Sequence, residues 1–276
     1  MPSSFDSSYK AESVHQNKLP DEGKTETMKL NNSRIVLTGT SSGIGRELAE
    51  LLLNRGAFII GASLPGEQTD LTNENFTEVQ VDVSTKQGVD YLFEESLKHL
   101  GRIDAFIANA GMAYYEKMVL ADWEHLSAIV ELNVKSVMYS ALKMKELYPL
   151  EPFHFMATSS IMSYWPLPGY ALYSGTKAAV CSFLGGLRLE WEKDQHLHIV
   201  FPVATKTRFF QRAGQPHKSW MMQTASHVAA RMLRGLEKDK KHIYPSPLFQ
   251  MCYLLAPWAI SFYRKREINL LRAHFE

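Results

Sequence analysis

The sequence predicts an α/β protein, a doubly wound parallel sheet with helices on both faces in a single domain. Three observations predict it. From Ser33 onward the apolar runs RIVLT, AFIIGA, EVQVDV, RIDAFIA, FHFMAT and HIVFP are each followed by a longer helical or loop segment, the rhythm of βαβ units. Gly39, Gly43 and Gly45 punctuate the handover from the first strand to the first helix. The 276 residues, 45% of them hydrophobic, are enough for one sizeable core rather than two separate modules.

Taken in order, residues 1–32 hold acidic and polar residues and no apolar run of the kind a signal peptide carries, so a mobile tail is expected there. Residues 33–245 form the predicted domain. After RIVLT, Ile44, Leu48, Leu51 and Leu52 fall on one face of a helix. The link from Ser63 to Gln80 carries Pro65-Gly66 and is short for a helix with two turns, so a truncated crossover is expected. Residues 246–276 follow as an apolar extension.

Composition narrows the function. Thirty basic against twenty-nine acidic residues give no electrostatic footprint for nucleic acid, which leaves a small molecule as the expected ligand. Cys181 and Cys252 match no zinc spacing and are too few for a disulfide framework, which suits a reducing, cytoplasmic setting. The ten histidines show no metal-ligand spacing, and no metal is expected.

Glycines at a strand-to-helix turn permit positive φ and close approach of a ligand, and the helix start behind them offers free N–H groups and a positive dipole end. Such a turn suits a pyrophosphate. No Lys-Ser or Lys-Thr pair closes it, which excludes a P-loop triphosphatase. A second constellation lies in YSGTK, where helical spacing puts Tyr173 and Lys177 one turn apart on one face. A free tyrosine titrates at about pH 10, and a neighbouring ammonium favours its phenolate, which is acid–base chemistry in outline.

With these residues the chain resembles the short-chain dehydrogenase/reductase family in its compact form, from about Ser33 to Tyr244. Thr38-Gly39-xxx-Gly43-Ile44-Gly45 matches the cofactor turn, with Ser41 and Ser42 inside it; Asp82-Val83 matches the adenine-side pair and Asn109-Ala110-Gly111 the motif after the fourth strand. Asn133, Ser160, Tyr173 and Lys177 match the catalytic four, and the interval of thirteen residues to Tyr173 selects Ser160 over Ser159. Independently, Gly39, Asp82, Asn109 and Ser160 all follow predicted strands, the edge where doubly wound sheets bind ligands.

The resemblance implies hydride transfer between NAD or NADP and a carbonyl or secondary alcohol. Tyr173 is expected to exchange the proton, Ser160 to hold the substrate oxygen, Lys177 to lower the tyrosine pKa and bind the nicotinamide ribose, and Asn133 to position a relay water. Val203 stands where the family has glycine after the sixth strand, while Thr207 keeps the threonine expected to reach the carboxamide. The second strand ends in Ser63-Leu64, with neither the acidic residue that favours NAD nor an arginine for a 2′-phosphate. The missing carboxylate leans the expectation to NADP.

The extension runs apolar from Leu248 to Tyr263, contains Pro257 and ends in Arg264-Lys265-Arg266. It is too short and interrupted for a spanning helix of about 20 residues. A substrate lid or subunit interface is the first expectation, and a peripheral membrane contact the second. An apolar lid would suit a lipophilic substrate. Trp165, Pro166, Pro168 and Tyr170 are candidates for pocket lining or loop packing. The family resemblance implies a homodimer or homotetramer through the helices of Asn133 and Tyr173, with Ala178, Ala179, Val180 and Leu184 supplying apolar faces. The rival reading is a dinucleotide-binding regulatory or scaffold protein without turnover.

Overall fold

The computed structural model describes residues 28–119, 121–209, 213–214, 222–247, 251 and 257–275, with residues 257–263 and 275 described by backbone alone. The tail over residues 1–27 and much of the apolar run, including Cys252, lie outside the described residues.

The chain winds β1 (Arg34–Thr38), α1 (Gly43–Leu53), β2 (Phe58–Ser63), β3 (Phe76–Gln80), α2 (Lys86–Leu100), β4 (Ala105–Ala108), α3 (Trp123–Val130), α4 (Ser136–Leu147), β5 (Phe153–Thr158), α5 (Ala171–Glu190) and β6 (Gln195–Val200). Then come β7 (Thr205–Lys206), β8 (Gln223–Thr224), α6 (Ala225–Glu237), β9 (His242–Ile243) and α7 (Pro257–Phe275). Seven strands form one parallel sheet in the order β3-β2-β1-β4-β5-β6-β9, so the strand order reverses between β1 and β4. β7 and β8 pair separately. No helix lies between β2 and β3, in keeping with Pro65-Gly66 and the short link.

Strand periodicity explains the two layers. Along β1, Ile35 and Leu37 face one way, into a cluster with Leu48 and Leu52 of α1 and Val228 and Met232 of α6. Val36 faces the other way, toward Phe93 of α2, Met144 of α4 and Leu184 of α5. The helices are capped locally: the Thr85 hydroxyl accepts from Gly88 N at 3.0 Å, and Gly101 at φ +70° closes α2. Val180 and Leu184 are 1% and 0% exposed within the chain, so they pack on its own sheet rather than facing outward. The expectation that they serve an interface is corrected: the outward side of α5 is carried by Gly175, Ser182, Gly186 and Leu189.

At the opposite, amino-terminal end of β5 and β6, His154, His196 and His198 project from one sheet face, since His154 pairs in register with His196 and His198 lies two residues on. Burial pushes His154 down to about 3 and His198 down to about 4, so both imidazoles are neutral in the fold.

In α7, Pro257 stands at the first position, where its missing N–H costs nothing. Farther along, Leu271 packs against the cluster of Tyr115, Met162, Leu167, Tyr170 and Tyr173, and Arg264 Nε donates to the Pro166 carbonyl at 3.2 Å. No described helix is long and apolar enough to cross a membrane.

Candidate active site

A cleft of about 420 Å³ opens at the carboxyl ends of the strands, the size of a small-molecule site. Its floor is the glycine turn. Gly39 (φ +76°) and Gly43 (φ +62°) hold left-handed conformations that residues with a Cβ rarely adopt. Gly45 acts differently: a Cβ there would overlap the Gly39 carbonyl oxygen and stand 2.7 Å from Asn109 Nδ2. It packs against the Gly39 carbonyl and is not among the residues lining the cleft. The N-cap Ser42 makes no side-chain cap bond, and the first turn of α1 carries no acidic residue, which leaves the helix start ready for an anion.

Hydrogen bonds hold this floor to the neighbouring strands. Thr38 Oγ1 accepts from Asn109 N at 3.0 Å and Ala110 N at 2.9 Å, Asn109 Nδ2 donates to Thr38 O at 3.2 Å, and Thr158 Oγ1 donates to Asn109 Oδ1 at 3.1 Å. Gly39, Ser41, Ser42, Gly43, Ile44, Ser63, Asp82, Val83, Asn109, Ala110, Gly111 and Thr207 all line the cleft. Thr207 reaches across the turn, since a Cβ on Gly43 would stand 3.0 Å from its Cγ2.

Ser160, Tyr173 and Lys177 converge at the other end, each less than 10% exposed: 6%, 9% and 4%. The Ser160 hydroxyl accepts from Met162 N at 3.1 Å and stands near enough to the Tyr173 phenol to pull its pKa down. Ser159 instead donates to the Lys177 carbonyl at 3.2 Å and meets Cys181 Sγ at 3.0 Å. Lys177 Nζ donates to Thr158 O at 2.8 Å and sits 5.6 Å from the centre of the Tyr173 ring. Burial pushes Tyr173 up to about 12, with Ser160 pulling the other way, and pushes Lys177 down to about 8. For the tyrosine, desolvation dominates and Ser160 opposes it.

Asn133 is held by bonds within the fold. It is fully buried in a π turn (Glu131–Lys135), where Nδ2 donates to Met112 O at 2.8 Å and to Thr176 Oγ1 at 3.1 Å while Oδ1 accepts from Met112 N at 2.9 Å. It does not line the cleft. Its amide braces the 111–112 backbone, and a Cβ on Gly111 would stand 3.1 Å from Asn133 Oδ1 and 3.5 Å from Lys177 Nζ.

Beyond Ser63, the site has acidic groups that the strand end did not reveal. Ser63 Oγ donates to Glu78 Oε1 at 2.7 Å and meets Thr40 Oγ1 at 3.2 Å. Glu67 lines the cleft and accepts from Ser41 Oγ at 3.0 Å. Arg46 is held by Asp70 and Glu50. The basic residues lining the cleft, among those described, are Lys177 and Arg208.

The family model described as short chain dehydrogenase matches residues 33–218. The chain belongs to the short-chain dehydrogenase family. An uncharacterized oxidoreductase of Staphylococcus saprophyticus is 32% identical over 165 residues, which is 56% of this chain and 66% of that protein. The 11-beta-hydroxysteroid dehydrogenase 1A of Arabidopsis thaliana is 24% identical, over 80% of this chain and 70% of its own. A short-chain dehydrogenase/reductase from Burkholderia phymatum, solved with NAD, shares the fold with a TM-score of 0.73 at 18% identity, over 86% of this chain and 97% of that one. A Sphingobium yanoikuyae short-chain dehydrogenase, solved with NADPH, gives 0.70 at 22% identity, over 86% and 95%.

For a short-chain dehydrogenase of this fold, the donor set fits a nicotinamide dinucleotide: an anion-ready helix start, a floor kept open by two glycines, and Lys177 at the far end. Glu67, Arg208 and the apolar wall of Met112, Tyr114, Met162 and Phe209 line the cleft as well. Sequence reasoning missed Glu67 because it sits in an irregular loop whose path no periodicity encodes. Tyr170, 1% exposed, packs in the cluster beside α7 rather than lining the cleft.

Proposed function

We propose that this chain is a nicotinamide-dependent oxidoreductase that interconverts a carbonyl and a secondary alcohol on a lipophilic substrate. The observation that carries this reading is the convergence of buried Ser160, Tyr173 and Lys177 at the end of a cleft whose other end is an uncapped helix start.

The cofactor supplies the hydride chemistry. In the reductive direction Tyr173 holds a proton at Oη and delivers it to the substrate oxygen. Ser160 Oγ, beside Tyr173 in the cleft lining, donates to the same oxygen as its charge grows. Lys177 keeps its place through Thr158 O, has further N–H bonds for the nicotinamide ribose hydroxyls, and its charge favours departure of the phenolic proton. Gly39, Ser41, Ser42 and Gly43 would hold the pyrophosphate, Asp82 and Val83 the adenine, and Thr207 the carboxamide. Asn133 acts as a positioning residue by fixing the Gly111–Met112 backbone.

Cofactor choice turns on Glu67. A 2′-phosphate carries close to two negative charges, and the Glu67 carboxylate borders the turn while Arg46 is already engaged by Asp70 and Glu50. This favours NAD, against the lean to NADP drawn from the strand end alone.

Met112, Tyr114, Met162 and Phe209 support an apolar substrate, and the packing of Leu271 supports a lid role for α7 rather than a membrane contact. A homodimer or homotetramer would use the outward side of α5, and light scattering checks it.

Fluorescence titration with NADH and NADPH, followed by a panel of apolar ketones and secondary alcohols read by absorbance of the reduced cofactor, tests the whole reading. Binding with turnover is expected. Binding without turnover on any of them would favour the regulatory alternative, and no binding would overturn both.

A further inference from the structure

We propose that His154, His198 and Asp239 form a site for a divalent transition-metal ion of the zinc class, at the end of the sheet remote from the cleft. The inference is independent of the oxidoreductase reading. One ligand atom from each residue lies within 4.8 Å of the others. His154 Nδ1 and His198 Nε2 are 3.0 Å apart, and His198 Nε2 is 3.8 Å from Asp239 Oδ1. Zinc–ligand bonds of about 2.0–2.1 Å in a tetrahedron separate the ligand atoms by roughly 3.4 Å, between those two distances.

The surroundings already orient the donors. His198 Nδ1–H donates to the Lys240 carbonyl at 2.9 Å, which leaves the Nε2 lone pair pointing at the site. His196 Nδ1 meets Asp239 Oδ2 at 2.8 Å and fixes the carboxylate. His198 accepts from His154 Nδ1–H in the metal-free form; on binding, that hydrogen sits on His154 Nε2 instead.

The backbone gives a second, independent observation. Asp239 has φ +46° just past the Lys238 C-cap of α6, where Asp239 N donates to Leu236 O at 3.2 Å and Lys240 N to Gly235 O at 2.8 Å. Helices that end with this bonding pattern favour glycine at that position, and a carboxylate at a helix C-terminus opposes the dipole. Both costs are offset if the carboxylate is a ligand. His154 and Asp239 are only partly buried, so solvent can deliver the ion and a water can complete the tetrahedron. Two imidazoles and one carboxylate select zinc, copper or nickel over magnesium or calcium. Ser160 lies six residues along from His154, about 20 Å at strand rise, so such an ion would clamp β5, β6 and the α6–β9 turn without touching substrate.

The test uses the full chain dialysed against EDTA, with Zn²⁺ followed by calorimetry and Co²⁺ by its visible absorption. One equivalent per chain is expected, with tetrahedral Co²⁺ absorption and a melting temperature raised by Zn²⁺. Asp239→Gly, which suits φ +46°, and His154→Gln should abolish all three, and His196→Gln should weaken binding about 10- to 100-fold. Circular dichroism checks folding, and Asp239→Gly decides if His154→Gln fails to fold. No stoichiometric binding, or equal binding by Asp239→Gly, would overturn the site.

Discussion

Ser159 Oγ donates to the Lys177 carbonyl at 3.2 Å, whereas its neighbour Ser160 lies beside the Tyr173 phenol and pulls its pKa down. Both serines line the cleft, but only Ser160 adjoins the tyrosine. Tyr173→Phe should lower turnover about 10²- to 10⁴-fold with NADH affinity nearly unchanged. Ser160→Ala should lower turnover too, and Ser159→Ala should leave it close to wild type. Steady-state kinetics with NADH titration separates the three, and an active Tyr173→Phe would sink the mechanism.

Lys177 gives a pH signature in stability. Its folded pKa of about 8 lies below the ordinary 10.5, so between those values the unfolded chain binds more protons and stability rises with pH. Below pH 8 the fold carries the cost of a buried ammonium, roughly 3–3.5 kcal/mol. Lys177→Met should therefore exceed wild type in stability at pH 7 by an amount that shrinks toward pH 10.5. Denaturant midpoints across that window measure it, and a constant difference would contradict the burial argument.

Glu67→Gln should narrow the proposed preference for NAD, and Glu67→Arg should reverse it toward NADP by roughly 1–2 kcal/mol of differential binding, about 5- to 30-fold. Paired titrations with NADH and NADPH read the ratio. An unchanged ratio in Glu67→Arg would show that the carboxylate does not face the ribose.

Gly45→Ala forces a Cβ onto the Gly39 carbonyl. The turn must shift, at about 1–3 kcal/mol, and dinucleotide affinity should fall with stability even though Gly45 does not line the cleft. Thermal melts with and without NADH test both effects.

Asn133→Ala should act mainly on stability. It leaves Met112 N–H and C=O without their buried partners, at about 3 kcal/mol, or roughly 6–12 °C in melting temperature. A variant that melts normally yet turns over slowly would return Asn133 to the proton-relay role.

Much of this was legible along the chain. Apolar runs and turn residues determined the parallel sheet, because strand burial on both faces and glycine's freedom are local demands. The intervals linking Gly39 to Gly43 and Tyr173 to Lys177 named the site, since helix and turn geometry convert spacing directly into proximity. Other facts arose only when distant segments met. Which side of the tyrosine pKa wins depends on burial, and burial is a property of everything packed around Tyr173. Asn133 became a brace because a π turn aimed it at Met112. Glu67 reached the cleft through an irregular loop. The pairing of β5 with β6, and the turn after α6, gathered His154, His198 and Asp239, residues up to 85 positions apart, because side-chain convergence across strands is set by register and packing rather than by spacing in the sequence.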